Sequence, residues 1–277
     1  DLYRAAFAAR GQRGALEISD REIRVLLDDA GEPVDVAPVR RTDAHRLIEE
    51  CMILANVAAA RFLADLELGT LYRIHERPDP ERVRALITYL EAQGIYWKPG
   101  DDPQPADFRA LTERLADRAD RPSIEMMILR TMTQAVYAPG NVGHFGLALS
   151  HYAHFTSPIR RYADLLVHRA IRSVIHSRTE TDRVHRELPQ GERHRGAVEL
   201  GLEDLQRSGD HISMTERRAD AASRQATEYY KCVFLEPRVG ERFDVTVTGV
   251  TGFGLFVEIP EVGASGLIHV TALPRDY

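Results

Sequence analysis

Cysteine is scarce in this chain: 277 residues include only Cys51 and Cys232. Both fall in apolar helical patterns, which argues against a disulfide framework and for a reducing compartment. No apolar run approaches the roughly 18 residues of a membrane-spanning helix. Positive charge is not in excess either. The formal net charge is −6, so the chain is not a uniformly basic nucleic-acid binder, and any grip on an anion has to be local. No helical repeat of fixed period is visible, which argues against a solenoid. The opening residues, Asp1-Leu-Tyr-Arg-Ala-Ala-Phe-Ala-Ala-Arg10, have neither an initiator Met nor the apolar core of a signal peptide. We therefore expect a fragment cut at both ends, long enough for one large domain and a small one.

Charge is concentrated in one place. The run His151-Tyr-Ala-His-Phe-Thr-Ser-Pro-Ile-Arg-Arg-Tyr-Ala-Asp-Leu-Leu-Val-His-Arg-Ala170 joins a polar, aromatic loop to an Arg-rich helix. Between Arg160 and Arg178 five Arg stand against one Asp, with His168 and His176 alongside. Such a run is either a solvated helix face or a grip for an anionic substrate. Ser157-Pro158 announces a helix running to about His176, with Ser157 as its cap. Arg160 and Arg161 then lie in the first turn, where cations oppose the helix dipole at a cost of up to about 1 kcal/mol. A bound phosphate would neutralise that arrangement. The alternative for Arg160 is an ion pair with Asp164, four residues on. His151 and His154 have no nearby Cys or carboxylate to complete a metal set, and read as core or loop histidines.

Most of the remainder reads as scaffold. Residues 1–14 look like the end of a helix broken by Gly11 and Gly14. Residues 15–27 alternate partially as a strand, residues 28–31 supply a turn, and residues 34–39 return beside it. Thr42 or Asp43 caps a long helix whose apolar face is Leu47, Ile48, Cys51, Met52, Ala55, Ala59, Phe62 and Leu63. Asp79-Pro80 opens a second helix carrying Val83, Leu86, Ile87 and Leu90. A third spans 106–116. A fourth spans 123–134, with Met126, Met127, Ile128, Leu129 and Met132 as packed core. Residues 179–195 read as a surface loop. Residues 198–232 read as a long helix or broken pair, buried through Leu202, Leu205, Ile212, Thr215, Ala219, Ala222 and Ala226. From Pro237 the character changes to β, with strand patterns at 243–250, 253–259 and 266–270. Three strands stand where an oligonucleotide-binding barrel has five, so this module cannot close.

Three further groups could carry chemistry. Glu49 and Glu50 sit early in the long helix. They are either favourably placed on its dipole or, facing inward, able to accept a ribose hydroxyl or help hold a metal. Glu216 and Asp220 lie one turn apart beside Arg217 and Arg218, which fits a carboxylate orienting an active-site Arg or plain surface pairs. Phe253, Phe256 and His269 form a stacking platform for unpaired bases or ordinary sheet core.

Five stretches together resemble the ribonuclease R branch of the ribonuclease II family: Leu47 through Asn56, Leu71 through Glu76, His144 through Ala148, His154 through Tyr162 and on to Arg169, and Met214 through Asp220. The tail, Gly-Val-Thr-Gly-Phe-Gly-Leu-Phe-Val-Glu and then Gly-Leu-Ile-His-Val-Thr-Ala-Leu, resembles the S1 RNA-binding domain that follows this family's catalytic domain. The resemblance implies an α+β fold. Residues 1–236 would be the largely helical C-terminal part of a catalytic domain, and 237–277 the start of an incomplete S1 barrel. It implies processive 3′→5′ hydrolysis of single-stranded RNA to 5′-nucleoside monophosphates with Mg²⁺, in a cytoplasmic, monomeric protein without membrane contact. By motif, Arg160 resembles the Arg that stabilises the scissile phosphate and Glu216 the carboxylate near it. Glu50, and less closely Glu49, resembles the Glu on the terminal ribose. His154, Thr156, Ser157, Arg161 and Tyr162 belong to the same RNA-contacting stretch.

The departure from the family pattern is an absence. The metal-binding Asp cluster and the aromatic clamp on the terminal base belong upstream of residue 1, and Asp28-Asp29, in a turn, does not replace the cluster. The segment alone is therefore expected to be inactive. The alternative to an exoribonuclease is a non-catalytic single-stranded RNA-binding relative or remnant.

Overall fold

A computed structural model describes residues 2–18, 23–39, 41–176 and 200–274, the side chain of His176 excepted. The loop expected over 179–195 lies outside the described residues. Two compact units emerge, Asp1–Ile18 with Thr42–Thr215, and Ser19–Arg41 with Glu216–Tyr277.

The first unit is a helical assembly around a small antiparallel ribbon. Its helices are α1 (Leu2–Gln12), α2 (Asp43–Asp65), α3 (Pro80–Ala92), α4 (Pro105–Arg114), α5 (Arg121–Thr131) and α6 (Tyr162–His176). The caps expected for two of them are present. Thr42 is the N-cap of α2, its backbone N–H donating to His45 Nδ1 at 3.2 Å. The Asp79 carboxylate accepts from the Glu81 amide at 2.7 Å, with Pro80 opening α3. Helices α3, α4 and α5 bury Val83, Leu86, Leu90, Phe108, Leu111, Ile124 and Ile128 around Trp97 and Phe145. Not all of the apolar run in α5 is core: Met126 and Leu129 are exposed, because only one side of that helix meets its neighbours.

Two strands missed in the sequence hold the centre. Strands β3 (Tyr72–Ile74) and β4 (Val136–Ala138) pair antiparallel. Three residues are too short for alternation to show. On one side, α2 and α6 pack through Ala60, Leu63, Val167 and Ala170. On the other lies the start of α7 (Leu202–Leu235), a single helix of 34 residues. It is buried through the expected stripe only in part, with Leu205 buried and Ile212 and Thr215 half-buried. Leu202, Ala219, Ala222 and Ala226 are exposed, whereas Leu205, Gly209 and Ser213 are buried. The reason is close approach: a Cβ on Gly209 would lie 2.5 Å from the Tyr137 carbonyl oxygen. Ser213 Oγ then accepts from the Tyr137 amide at 3.0 Å and donates to the Gly209 carbonyl at 2.8 Å. Small residues at i and i+4 let the helix lie against backbone.

The second unit joins two β pieces from opposite ends of the chain. Strands β1 (Ile23–Leu27) and β2 (Pro33–Pro38) form the expected hairpin, turning at Gly31 with φ +85°. Strands β5 (Thr246–Thr251), β6 (Gly254–Ile259) and β7 (Ala264–His269) form one antiparallel three-stranded sheet, unclosed as expected. Val36 packs with Val262 and Ala264, flanked by Ile23, Val25, Phe234 and Ile259. Lys231 is buried there and donates to the Gly263 carbonyl at 2.6 Å, with Glu228 as ion-pair partner at 2.7 Å. Cys232, expected inside an apolar pattern, is exposed.

Gly209→Ala tests the close approach. Alanine gains about 1 kcal/mol of helix propensity, but overpacking against backbone costs about 1–3 kcal/mol. We expect net destabilisation, read as a lower urea midpoint at unchanged m-value.

Candidate functional site

Helix α2 buries two polar residues in line with its apolar ones: Glu50, Ile53, Asn56, Ala60 and Leu63 face inward. Glu50 is 4% exposed and Asn56 2%. Both need partners, since an unpaired buried charge or amide is costly. Arg10 of α1 supplies one, its Nη1 reaching Glu50 Oε1 at 3.0 Å and Glu49 Oε1 at 3.2 Å. Burial pulls the Arg10 guanidinium down, but hydrogen bonds and charge from Glu50 and then Glu49 outweigh it, so its pKa is raised. The favourable-dipole reading of Glu50 is thus replaced by a buried ion pair, which withdraws its carboxylate from solvent.

Asn56 partners the loop that follows His151. Its Oδ1 accepts from the amides of Phe155 at 2.9 Å and Thr156 at 3.2 Å, and its Nδ2 donates to the Tyr152 hydroxyl at 3.1 Å. The next amide, Ser157, donates to Asp164 Oδ1 at 2.8 Å. Asp164 is fully buried and also takes Arg161, through Nη2 to Oδ1 at 2.8 Å and a second, poorly aligned approach of Nε to Oδ2 at 2.8 Å. Three consecutive amides are therefore captured by two side chains.

This geometry corrects three expectations. The helix begins at Tyr162, four residues after Pro158, so Arg160 and Arg161 precede it rather than occupy its first turn. Ser157 does not cap it; its amide is held by Asp164, and its carbonyl accepts from the Arg160 and Arg161 amides at 3.3 and 3.1 Å. Asp164 pairs with Arg161, not with Arg160. Arg160 is left exposed, with no ion pair among the described residues, next to a fully exposed Ile159 and a half-exposed Tyr162.

Behind the loop lies an aromatic and imidazole cluster. Tyr137 Oη and His154 Nδ1 are 2.7 Å apart, and the Arg73 guanidinium lies 4.5 Å from the Tyr137 ring centre. His144 meets His75 and Tyr152 edge-on at 5.0 and 5.3 Å, and Phe155 stacks on His168 at 4.3 Å. Burial, then the charge of neighbouring cations, pushes His154 to about 3. Burial and then His75 push His144 to about 3. Both rings are neutral at pH 7. His154 is thus a packed ring, as expected of a loop histidine, and Thr156 Oγ1 is buried without a partner. An open cleft of about 1270 Å³ borders His75 and His144. Arg13, Arg77 and Arg84 line it together with Glu76, Asp79, Asp101 and Asp102, so its charge is mixed.

In the second unit Glu216 lies half-buried on α7. Phe253, Phe256 and His269 are exposed, so the ordinary-core reading of the two Phe does not hold. The rings of Phe253 and Phe256 meet at 5.9 Å. Register places Phe256 across from Gly249 and Leu267, and Gly254 across from His269, on alternate positions of one sheet face.

Among the described residues no group of three His, Cys, Asp or Glu could hold a metal ion. These residues do not fit a metal centre. Asn56, Arg10 and Tyr137 are the participants that sequence reasoning missed. The available signal for Asn56 was an amide at buried helical spacing, six residues after Glu50.

Comparison with known proteins gives this geometry its class. The RNB domain matches residues 1–177, and the S1 RNA binding domain matches residues 236–277. The chain belongs to the ribonuclease R family of RNB proteins. It is 42% identical over 276 residues to ribonuclease R of Vibrio cholerae serotype O1, covering 100% of this chain and 33% of that protein. It thus spans about a third of the length of the curated relatives it matches. RNase R of Mycoplasma genitalium superimposes with a TM-score of 0.86 in its apo form, at 26% identity over 99% of this chain and 41% of that one. Its complex with ribose-methylated single-stranded RNA gives 0.85 at 25% identity, with the same coverage of both chains. Yeast Ssd1, described as a pseudonuclease, shares the fold at 0.64 and 24% identity, over 83% of this chain and 27% of that one. No described helix is long and apolar enough to cross a membrane.

The depressed imidazoles set an acid limit. A histidine neutral in the fold but near its ordinary value when unfolded contributes stability that is complete above about pH 6.5 and is lost as pH falls towards 3. Each should contribute a slope of up to about 1.4 kcal/mol per pH unit in that window. Urea midpoints between pH 7 and 4 should fall steeply, and less steeply in His144→Gln.

Proposed function

We propose that the protein is a processive 3′→5′ exoribonuclease that hydrolyses single-stranded RNA to 5′-nucleoside monophosphates, in the cytoplasm and as a monomer. The observation that carries this reading is Arg160. It is an exposed, unpaired guanidinium among the described residues, on a loop whose amides are held by buried side chains. A preorganised cation of this kind acts where phosphate charge develops, because no reorganisation is needed at the moment of reaction. In this reading Arg160 offsets charge on the scissile phosphate, and Glu216 is the second catalytic residue that the family resemblance assigns. Glu50, with Glu49, is the carboxylate assigned to the ribose, a basis for telling RNA from DNA, and meeting it requires Glu50 to give up its ion pair with Arg10. His154, Thr156, Ser157, Arg161 and Tyr162 shape the wall along which the strand runs. Residues 1–236 are part of the catalytic domain, and 237–277 begin the S1 domain, where Phe253, Phe256 and His269 stack bases.

Mg²⁺ is the proposed cofactor. Family resemblance assigns its ligands to a cluster of Asp carboxylates. The exposed Phe253, Phe256 and His269 by themselves also fit a second reading, a non-catalytic single-stranded RNA-binding relative. The readings separate on product: an exoribonuclease releases monophosphates from a labelled 3′-tailed RNA with Mg²⁺, whereas a binding protein shows salt-sensitive affinity alone.

In the full-length protein Arg160→Ala should lower the saturating rate about 100-fold or more. Cleavage at the wild-type rate would remove Arg160 from the centre of the reading. The 277-residue chain by itself should bind RNA and release no monophosphate. In the same chain Phe256→Ala should weaken single-strand binding by about 1–3 kcal/mol with little effect on folding, since the ring is exposed.

A further inference from the structure

We infer that Asn56 is a positioning residue for Arg160, acting through the backbone of the loop and not through any contact with RNA. This rests on the exoribonuclease reading of Arg160. Asn56 is buried on α2, and its Oδ1 takes the Phe155 and Thr156 amides at 2.9 and 3.2 Å. Asp164 takes the Ser157 amide at 2.8 Å, and the Ser157 carbonyl takes the Arg160 amide at 3.3 Å. The Asn56 hydrogen bonds and the short stretch of covalent backbone from Thr156 to Ser157 therefore link α2 to the turn that carries Arg160. None of residues 155–157 belongs to a helix or strand, so nothing in regular structure satisfies these amides. Without Asn56 two inward N–H groups lose their acceptor, and the segment has to turn them towards water. That rotation would displace the peptide planes on which the Arg160 turn is built. Asn56 also sits on the helix that carries Glu50, so one rigid element sets both the carboxylate and the loop.

The amide is suited to this task because it combines an acceptor for two N–H groups with a donor for the Tyr152 hydroxyl. A carboxylate preserves the acceptor, and Tyr152 can then donate to it. An isobutyl group preserves neither. The test uses the full-length protein with a labelled single-stranded RNA, comparing wild type, Asn56→Leu, Asn56→Asp, Arg160→Ala and the double variant Asn56→Leu with Arg160→Ala. Saturating rate and RNA affinity are measured for each, with thermal unfolding to confirm folded protein at the assay temperature.

We expect Asn56→Leu to lose about 10- to 100-fold in saturating rate, Asn56→Asp to retain most of it, and the Asn56→Leu loss to vanish when Arg160 is already alanine. Coupling of that kind is not produced by general destabilisation, which gives additive losses. A wild-type rate in Asn56→Leu, or an equal loss with and without Arg160, overturns the inference. If wild type binds RNA without cleaving it, the exoribonuclease reading fails instead. The same cycle read in affinity then decides whether Asn56 positions Arg160 for phosphate, and additive affinities overturn it.

Discussion

Three successive amides, those of Phe155, Thr156 and Ser157, have no place in a helix or sheet, and the arrangement of the first unit depends on how they are satisfied. Buried backbone donors without acceptors are rare because each costs a substantial part of a domain's net stability. Here the acceptors are one carboxamide and one carboxylate, Asn56 and Asp164, both withdrawn from solvent. They come from different helices, α2 and α6, whose shared apolar contacts hold them in place. The loop is therefore as rigid as the packing of the helices that flank it.

That constraint explains the division of labour between adjacent arginines. Arg161 turns inward and neutralises Asp164, which would otherwise be an uncompensated buried charge. Arg160 is turned outward by the same backbone path and has no carboxylate to occupy it among the described residues. A similar logic governs Glu50, whose burial is made tolerable by Arg10 from a helix at the start of the chain. The buried carboxylates are paired with arginines, and the exposed Arg160 has no ion pair among the described residues. The His144 and His154 rings behind the loop stay neutral, so they pack without adding cations that compete for the same position.

The second unit follows a different rule. Its sheet presents Phe253, Phe256 and His269 on the surface, and its buried side is completed by a hairpin from residues 23–38 and by the end of α7. Local alternation shows each of these strands, but not which of them pack together, because contacts between Val36 and Val262 span most of the chain. Gly263 marks the join, with φ +61° and no room for a Cβ against the Ile23 side chain.

By itself the sequence determined the helix-rich α+β class, a cap at Thr42 or Asp43 and one at Asp79, the hairpin at Gly31, the three unclosed strands of the tail and the concentration of charge in the 151–170 run. Those features are written in nearest-neighbour chemistry: periodicity, capping residues and turn residues. Tertiary structure decided the rest. It delayed α6 to Tyr162, because Asp164 reaches back to the Ser157 amide and holds the preceding turn outside the helix. It gave Asp164 to Arg161 instead of Arg160. It buried α7 through Gly209 and Ser213 in place of its alanines, because a neighbouring backbone lies too close for a Cβ. It also made Asn56 a structural centre, since an amide's role depends on which distant backbone groups need it, and helical spacing carries no record of them.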